Sequence, residues 1–141
     1  IVGTPVSANG EGFREFMSEV DGFSPGADAY VYAVVLVRVL DGTTWYYVGE
    51  TTSGEDGLEG RLEKHIRGEM KKPVRQNETD VLDTGVPKDT TDTYVTLGVE
   101  RIEAISMDPE RLLKARTSER ERKMAYEIAL EKQTTNVLGG S

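Results

Sequence analysis

The sequence predicts an α+β fold: a small three-stranded antiparallel sheet flanked by helices, with an added N-terminal helix. Three observations carry that expectation. Residues 29–40, AYVYAVVLVRVL, are dense in β-branched and aromatic residues and read as a strand buried on both faces. Asp41-Gly42 is a strong hairpin turn signal, and TTWYYVG at 43–49 is the returning strand. Apolar residues at helical spacing flank this hairpin on both sides, so the element order runs α-β-β-α-β-α.

The elements follow one by one. Residues 1–10 read as an arm. Phe13, Phe16, Met17 and Val20 then recur at i, i+3, i+4, i+7, which is a short amphipathic helix laying one face on the body. Gly22 to Gly26, with Pro25 between, ends it. Residues 1–29 are thus an arm with a short helix, and residues 30–141 are the domain proper. After the hairpin, Leu58, Leu62 and Ile66 form an apolar stripe on a helix placed at 56–70. Gly57 and Gly60 weaken its first turn, and Pro73 bars its continuation. Residues 74–93 are polar and read as a long loop. Residues 94–106 are the third strand. Asp108-Pro109 supplies a helix cap and a first-turn proline, and the helix that follows, one long or two abutting, ends before Thr134. TTNVLGGS reads as a polar tail.

Composition limits the chemistry. With 141 residues the chain is sized for one domain with one core. There is no cysteine, so disulfides, thiolate zinc sites and cysteine nucleophiles are excluded. The single histidine, His65, excludes zinc sites built on several histidines. A metal would therefore be held by oxygen ligands, which favours Mg²⁺ or Mn²⁺. No apolar run is long enough to span a bilayer, and the first residues lack the basic and apolar regions of a signal peptide. The expectation is a cytoplasmic protein with no membrane partner. The net charge of −8 argues against charge-driven nucleic-acid binding over the whole surface but leaves room for a local basic patch. An acidic surface with more Arg than Lys also suits a salt-rich environment.

Several side chains stand out. Arg61 and His65 are four apart and share a helix face bordering the apolar stripe, where both can reach a phosphate at the sheet edge. Glu121 precedes Met124, Ala125 and Ile128 by three, four and seven, so it falls on the apolar face of the last helix. A carboxylate there needs a partner or a metal. Tyr32 and Tyr47 sit on opposite arms of the hairpin. Taken singly, each has a plainer reading: a solvated arginine, a boundary histidine, a helix-edge glutamate paired with its own helix, two core tyrosines.

Their order and spacing together change that balance. The constellation resembles the GIY-YIG nuclease family. Tyr30-Val31-Tyr32 stands where the family has its first motif, keeping the functional tyrosine and replacing the opening glycine with Tyr30. Tyr47-Val48-Gly49 matches the second motif. Arg61 and His65 fit the family's helix, Glu121 its metal-binding glutamate, and Asn136 its late asparagine. The resemblance spans residues 30–137. It implies a metal-dependent endonuclease that hydrolyses DNA phosphodiester bonds, with Mg²⁺ or Mn²⁺ on Glu121 and Glu127 as the second candidate ligand. Arg61 would stabilise charge on the phosphate, and Tyr32, Tyr47 or His65 would be the base. Asn136 would orient a tyrosine or hold the helix end against the sheet. Gly49 would give the backbone room beside the substrate, and Lys71, Lys72 and Arg75 are the best local basic cluster for DNA backbone contact. Two other readings compete: a non-catalytic nucleic-acid-binding or protein-interaction module on the same scaffold, and a salt-adapted structural domain.

Overall fold

The computed structural model describes residues 2–3, 10–39, 41–66, 94–106 and 110–139. The expected 74–93 loop, the Asp108-Pro109 cap and the Lys71, Lys72, Arg75 cluster lie outside them. In chain order the elements are β1 (Val2–Gly3), α1 (Gly10–Ser18), β2 (Ala29–Arg38), β3 (Thr44–Thr51), α2 (Gly54–Ile66), β4 (Tyr94–Ile105), α3 (Glu110–Lys132) and β5 (Val137–Gly139). The fold is α+β.

The sheet is larger than the sequence predicts. It has five strands in the order β1-β4-β2-β3-β5 and is mixed rather than purely antiparallel. The three long strands β4, β2 and β3 pair antiparallel, as expected from the hairpin and the strand after the loop. Two short strands correct the count. β1 adds antiparallel to β4 at Val2 and Gly3, and β5 adds parallel to β3 at Val137 to Gly139. Both are too short to show an alternating pattern, and both are defined by partners far away in sequence. Gly139 has φ of 80°, and a Cβ there would stand 2.0 Å from the Val48 carbonyl oxygen, so the parallel pairing needs glycine at this point.

Strand β2 is buried on both faces because helices cover both. Tyr30, Tyr32, Val34 and Leu36 point toward α1 and α2 and pack with Phe13, Met17, Leu58 and Leu62. Val31 and Ala33 point the other way and pack with Met124 and Ile128 of α3. The core therefore crosses the boundary drawn at residue 29, since Phe13 and Met17 belong to the same cluster as Tyr32. β3 splits in the same manner: Trp45 and Tyr47 join the first layer, Tyr46 and Val48 the second. Helix α3 is one continuous helix rather than two.

Tyr30 has a structural task. Its hydroxyl donates to the Ser24 carbonyl at 2.8 Å and accepts from the Ala27 amide at 3.0 Å, tying down the turn between α1 and β2. At the other end of the hairpin, Asp41 accepts from Thr43 and from the Arg38 guanidinium, which also lies 5.0 Å over the Trp45 ring.

The residues read as a polar tail carry a core side chain, because Leu138 is fully buried in the α1/α2-facing layer. Leu138→Ala is expected to cost about 2–5 kcal/mol in urea unfolding, the usual range for emptying a buried leucine site. A loose tail would show no change.

Candidate functional site

Strand register brings the two tyrosines together. Tyr32 lies opposite Gly49, and Val34 lies opposite Tyr47, so Tyr32 and Tyr47 are diagonal neighbours on the α2-facing side. Gly49 sits between them. A Cβ on Gly49 would come 2.6 Å from the Tyr32 hydroxyl oxygen and 2.8 Å from the Tyr47 ring. Glycine is required here by the close approach of two rings rather than by a special backbone angle.

His65 completes this buried group. It is 6% exposed and comes from α2, one turn after Arg61. Its ring centroid is 5.8 Å from that of Tyr32 and 5.1 Å from that of Tyr47, and its Nε2 is 3.4 Å from the Tyr32 hydroxyl. Burial sets the proton affinity of all three. It disfavours each charged form, pushing His65 down to about 4, with the nearby Arg61 charge adding to the effect. It raises Tyr47 to about 12, with Glu121 adding and Arg61 opposing. Tyr32 is raised further, by burial first and by Tyr47 next, against the charge and hydrogen bond of Arg61. At neutral pH the group is two phenols and one neutral imidazole.

In front of it lies a cavity of about 400 Å³. Tyr47, Gly49, Arg61 and Glu121 line it, together with Glu50 and the Thr51-Thr52-Ser53 turn leading into α2. Strand pairing explains where it is. β5 covers the edge of β3 from Tyr46 to Val48, and the described pairing stops there. From Gly49 onward no described strand pairs with this edge, and α2 on one face and α3 on the other both reach it. Arg61 is exposed at the mouth, and Glu121 is half-buried.

Four expected residues thus meet at one place: Tyr47, Gly49, Arg61 and Glu121 line the cavity, with Tyr32 and His65 packed behind Tyr47. Asn136 does not line it. Its side-chain amide donates to the Thr44 carbonyl at 3.3 Å, and its own carbonyl accepts from the Tyr46 amide at 2.9 Å. Thr44 is five residues from Gly49, roughly 17 Å along the strand, so Asn136 fastens the chain after α3 to the sheet away from the cavity. Glu127, the second candidate ligand, faces β4 and pairs with Arg101 at 3.7 Å. Glu50 is a charged lining residue that motif reasoning passed over. It directly follows Gly49, and its place on the strand was the only signal for it.

The donor atoms in the cavity are oxygens: the carboxylates of Glu121 and Glu50 and the hydroxyls of the following turn. That set suits a hard cation such as Mg²⁺ or Mn²⁺. Among the described residues, no three of His, Cys, Asp or Glu gather as a metal-ligand group, so water and substrate would complete the coordination. A second cleft of about 600 Å³, between the end of β4 and α3, is lined by Glu103, Ser106, Glu119 and Arg120 among others and contains none of the residues above. Comparison with models of known protein families, with curated proteins and with solved structures finds no match.

Two tests follow from this packing. Gly49→Ala is expected to destabilise the fold by about 1–3 kcal/mol, as overpacking does, and urea unfolding measures it. For His65 the folded value lies below the ordinary 6.5. Protonation therefore favours the unfolded chain, and stability present above pH 6.5 is lost as pH falls toward 4. The loss amounts to about 3 kcal/mol. Urea unfolding from pH 7 to pH 4 should show that much more loss in the wild type than in His65→Gln.

Proposed function

We propose that the chain is a divalent-cation-dependent endonuclease that hydrolyses DNA phosphodiester bonds at the open edge of β3. The observation that supports this best is the convergence of Tyr47, Arg61 and Glu121, from three separate elements, on one cavity. These are the residue types that the resemblance to GIY-YIG nucleases selects, and they are far apart in sequence.

Each has a task set by its position. In the hydrolysis, a water oxygen bonds to phosphorus, a P–O ester bond breaks, and the departing oxygen takes a proton. Negative charge grows on the phosphate oxygens as this happens. Arg61, at the mouth, is placed to hold that charge, and its planar guanidinium suits two phosphate oxygens at once. Glu121 would hold Mg²⁺ or Mn²⁺, which when bound would supply positive charge to offset the negative charge developing on the reacting phosphate.

The choice among the three candidate bases narrows to Tyr47. Its ring lines the cavity, whereas Tyr32 and His65 are packed behind it and do not. At neutral pH the Tyr47 hydroxyl is protonated, so it first orients the attacking water. It turns basic only as positive charge collects around it, and Arg61 already acts in that direction. Tyr32 and His65 are positioning residues that hold the Tyr47 ring from behind.

The test is incubation with plasmid and branched DNA in Mg²⁺ or Mn²⁺. Cleavage is expected, to be abolished by a chelator and lowered at least about 10²-fold by Glu121→Ala or Arg61→Ala. DNA binding without cleavage would favour the non-catalytic module instead, and unchanged rates in both variants would remove these two residues from the mechanism.

A further inference from the structure

Among the described residues, Glu50 is the acidic side chain in the cavity that the proposed mechanism does not use. It stands on β3 directly after Gly49, opposite Val31. That pairing turns it away from the tyrosines and toward α3, into the layer of Val31, Val48 and Met124. Its Oε2 atom is buried and has no hydrogen-bond partner. Among the described residues, no ion pair is formed by Glu50 either. A buried carboxylate oxygen with nothing to bind is costly, and native structures keep few of them. Glu50 lines the same cavity as Glu121, and both carboxylates act on the Tyr47 hydroxyl. Two carboxylates facing one small space repel each other, and a cation held between them relieves that repulsion.

We infer that Glu50 is a second ligand of the divalent cation, sharing it with Glu121 across the open edge of β3; this rests on the nuclease reading of the same cavity. One carboxylate comes from a strand and the other from a helix, so the ion joins the sheet to α3. Arg61, at the mouth, is left to the phosphate. The cation supplies what the Glu50 Oε2 atom lacks, and the remaining coordination falls to water and substrate oxygens.

The experiment needs no DNA. Mn²⁺ is titrated into the full chain, and the free ion is followed by electron paramagnetic resonance, for the wild type, Glu50→Gln and Glu121→Gln. The wild type should bind one Mn²⁺, and each variant should bind it about tenfold or more weakly. Thermal melting adds an independent readout. Without metal, Glu50→Gln should melt at or above the wild-type temperature, because a poorly satisfied charge is gone. With Mn²⁺, the wild type should be stabilised and the variant should not. Wild-type affinity in Glu50→Gln would overturn the inference, and so would a metal-free Glu50→Gln that melts below the wild type, which would mean Glu50 has a stabilising partner. If Mn²⁺ binding needs both carboxylates but DNA is not cut, the shared site stands and the nuclease reading falls. If DNA is cut and Glu50→Gln binds Mn²⁺ normally, the reverse holds.

Discussion

Among the described residues, three at the end of β3 have an uncovered edge, and the site depends on them. A sheet edge normally has to be paired, shielded or charged, because unpaired amides and carbonyls invite other strands. Here β5 pairs with β3 as far as Val48, and the described pairing ends there. Beyond that point the strand offers Gly49, Glu50 and Thr51 to a cavity. Because a strand presents alternate residues to opposite faces, one short stretch of edge receives side chains from both layers. Arg61 approaches from the α2 side and Glu121 from the α3 side. The glycine at the head of the stretch matters too, since a side chain there would collide with Tyr32 and Tyr47.

Behind the cavity, burial sets the electrostatics. The imidazole of His65 and the phenols of Tyr32 and Tyr47 are each pushed toward their neutral forms mainly by loss of water. Charge in this region is confined to the front, where Arg61 is exposed and Glu121 half-buried. A neutral, tightly packed back and a charged, solvated front are a sensible division. The back fixes the Tyr47 ring with ring contacts on one side and the Gly49 backbone on the other. The front changes its charge when something binds, at little cost in packing.

Much of this was legible from residues alone, and the exceptions have physical causes. The hairpin was readable because Asp41-Gly42 marks its turn and β-branched residues fill β2. Arg61 and His65 were readable as a pair because helical spacing places them on one face. Glu121 was readable because it keeps register with Met124 and Ile128. The parallel strand β5 was not: three residues ending in glycine have no period, and its partner β3 lies about ninety residues earlier in the chain. Asn136 could be named but not located, since its place depends on that same pairing. Glu50 was missed because a glutamate after a glycine normally marks a solvated strand end. Only the packing of α3 across the sheet, from seventy residues away, turns that position inward.

The charges at the front also bear on how an acidic protein could hold a polyanion. Among the described lining residues, Glu50 and Glu121 are acidic and Arg61 is basic, so that part of the lining is net negative by one. The chain as a whole is at −8. A phosphodiester entering this cavity alone would meet repulsion from the cavity and from the protein. If the two carboxylates share a divalent ion, the same lining becomes net positive by one. Ion and phosphate then each raise the other's affinity, because each makes the local charge more favourable for the other, and that coupling is reciprocal by thermodynamic necessity. Binding confined in this way to a cavity filled with metal requires no basic surface.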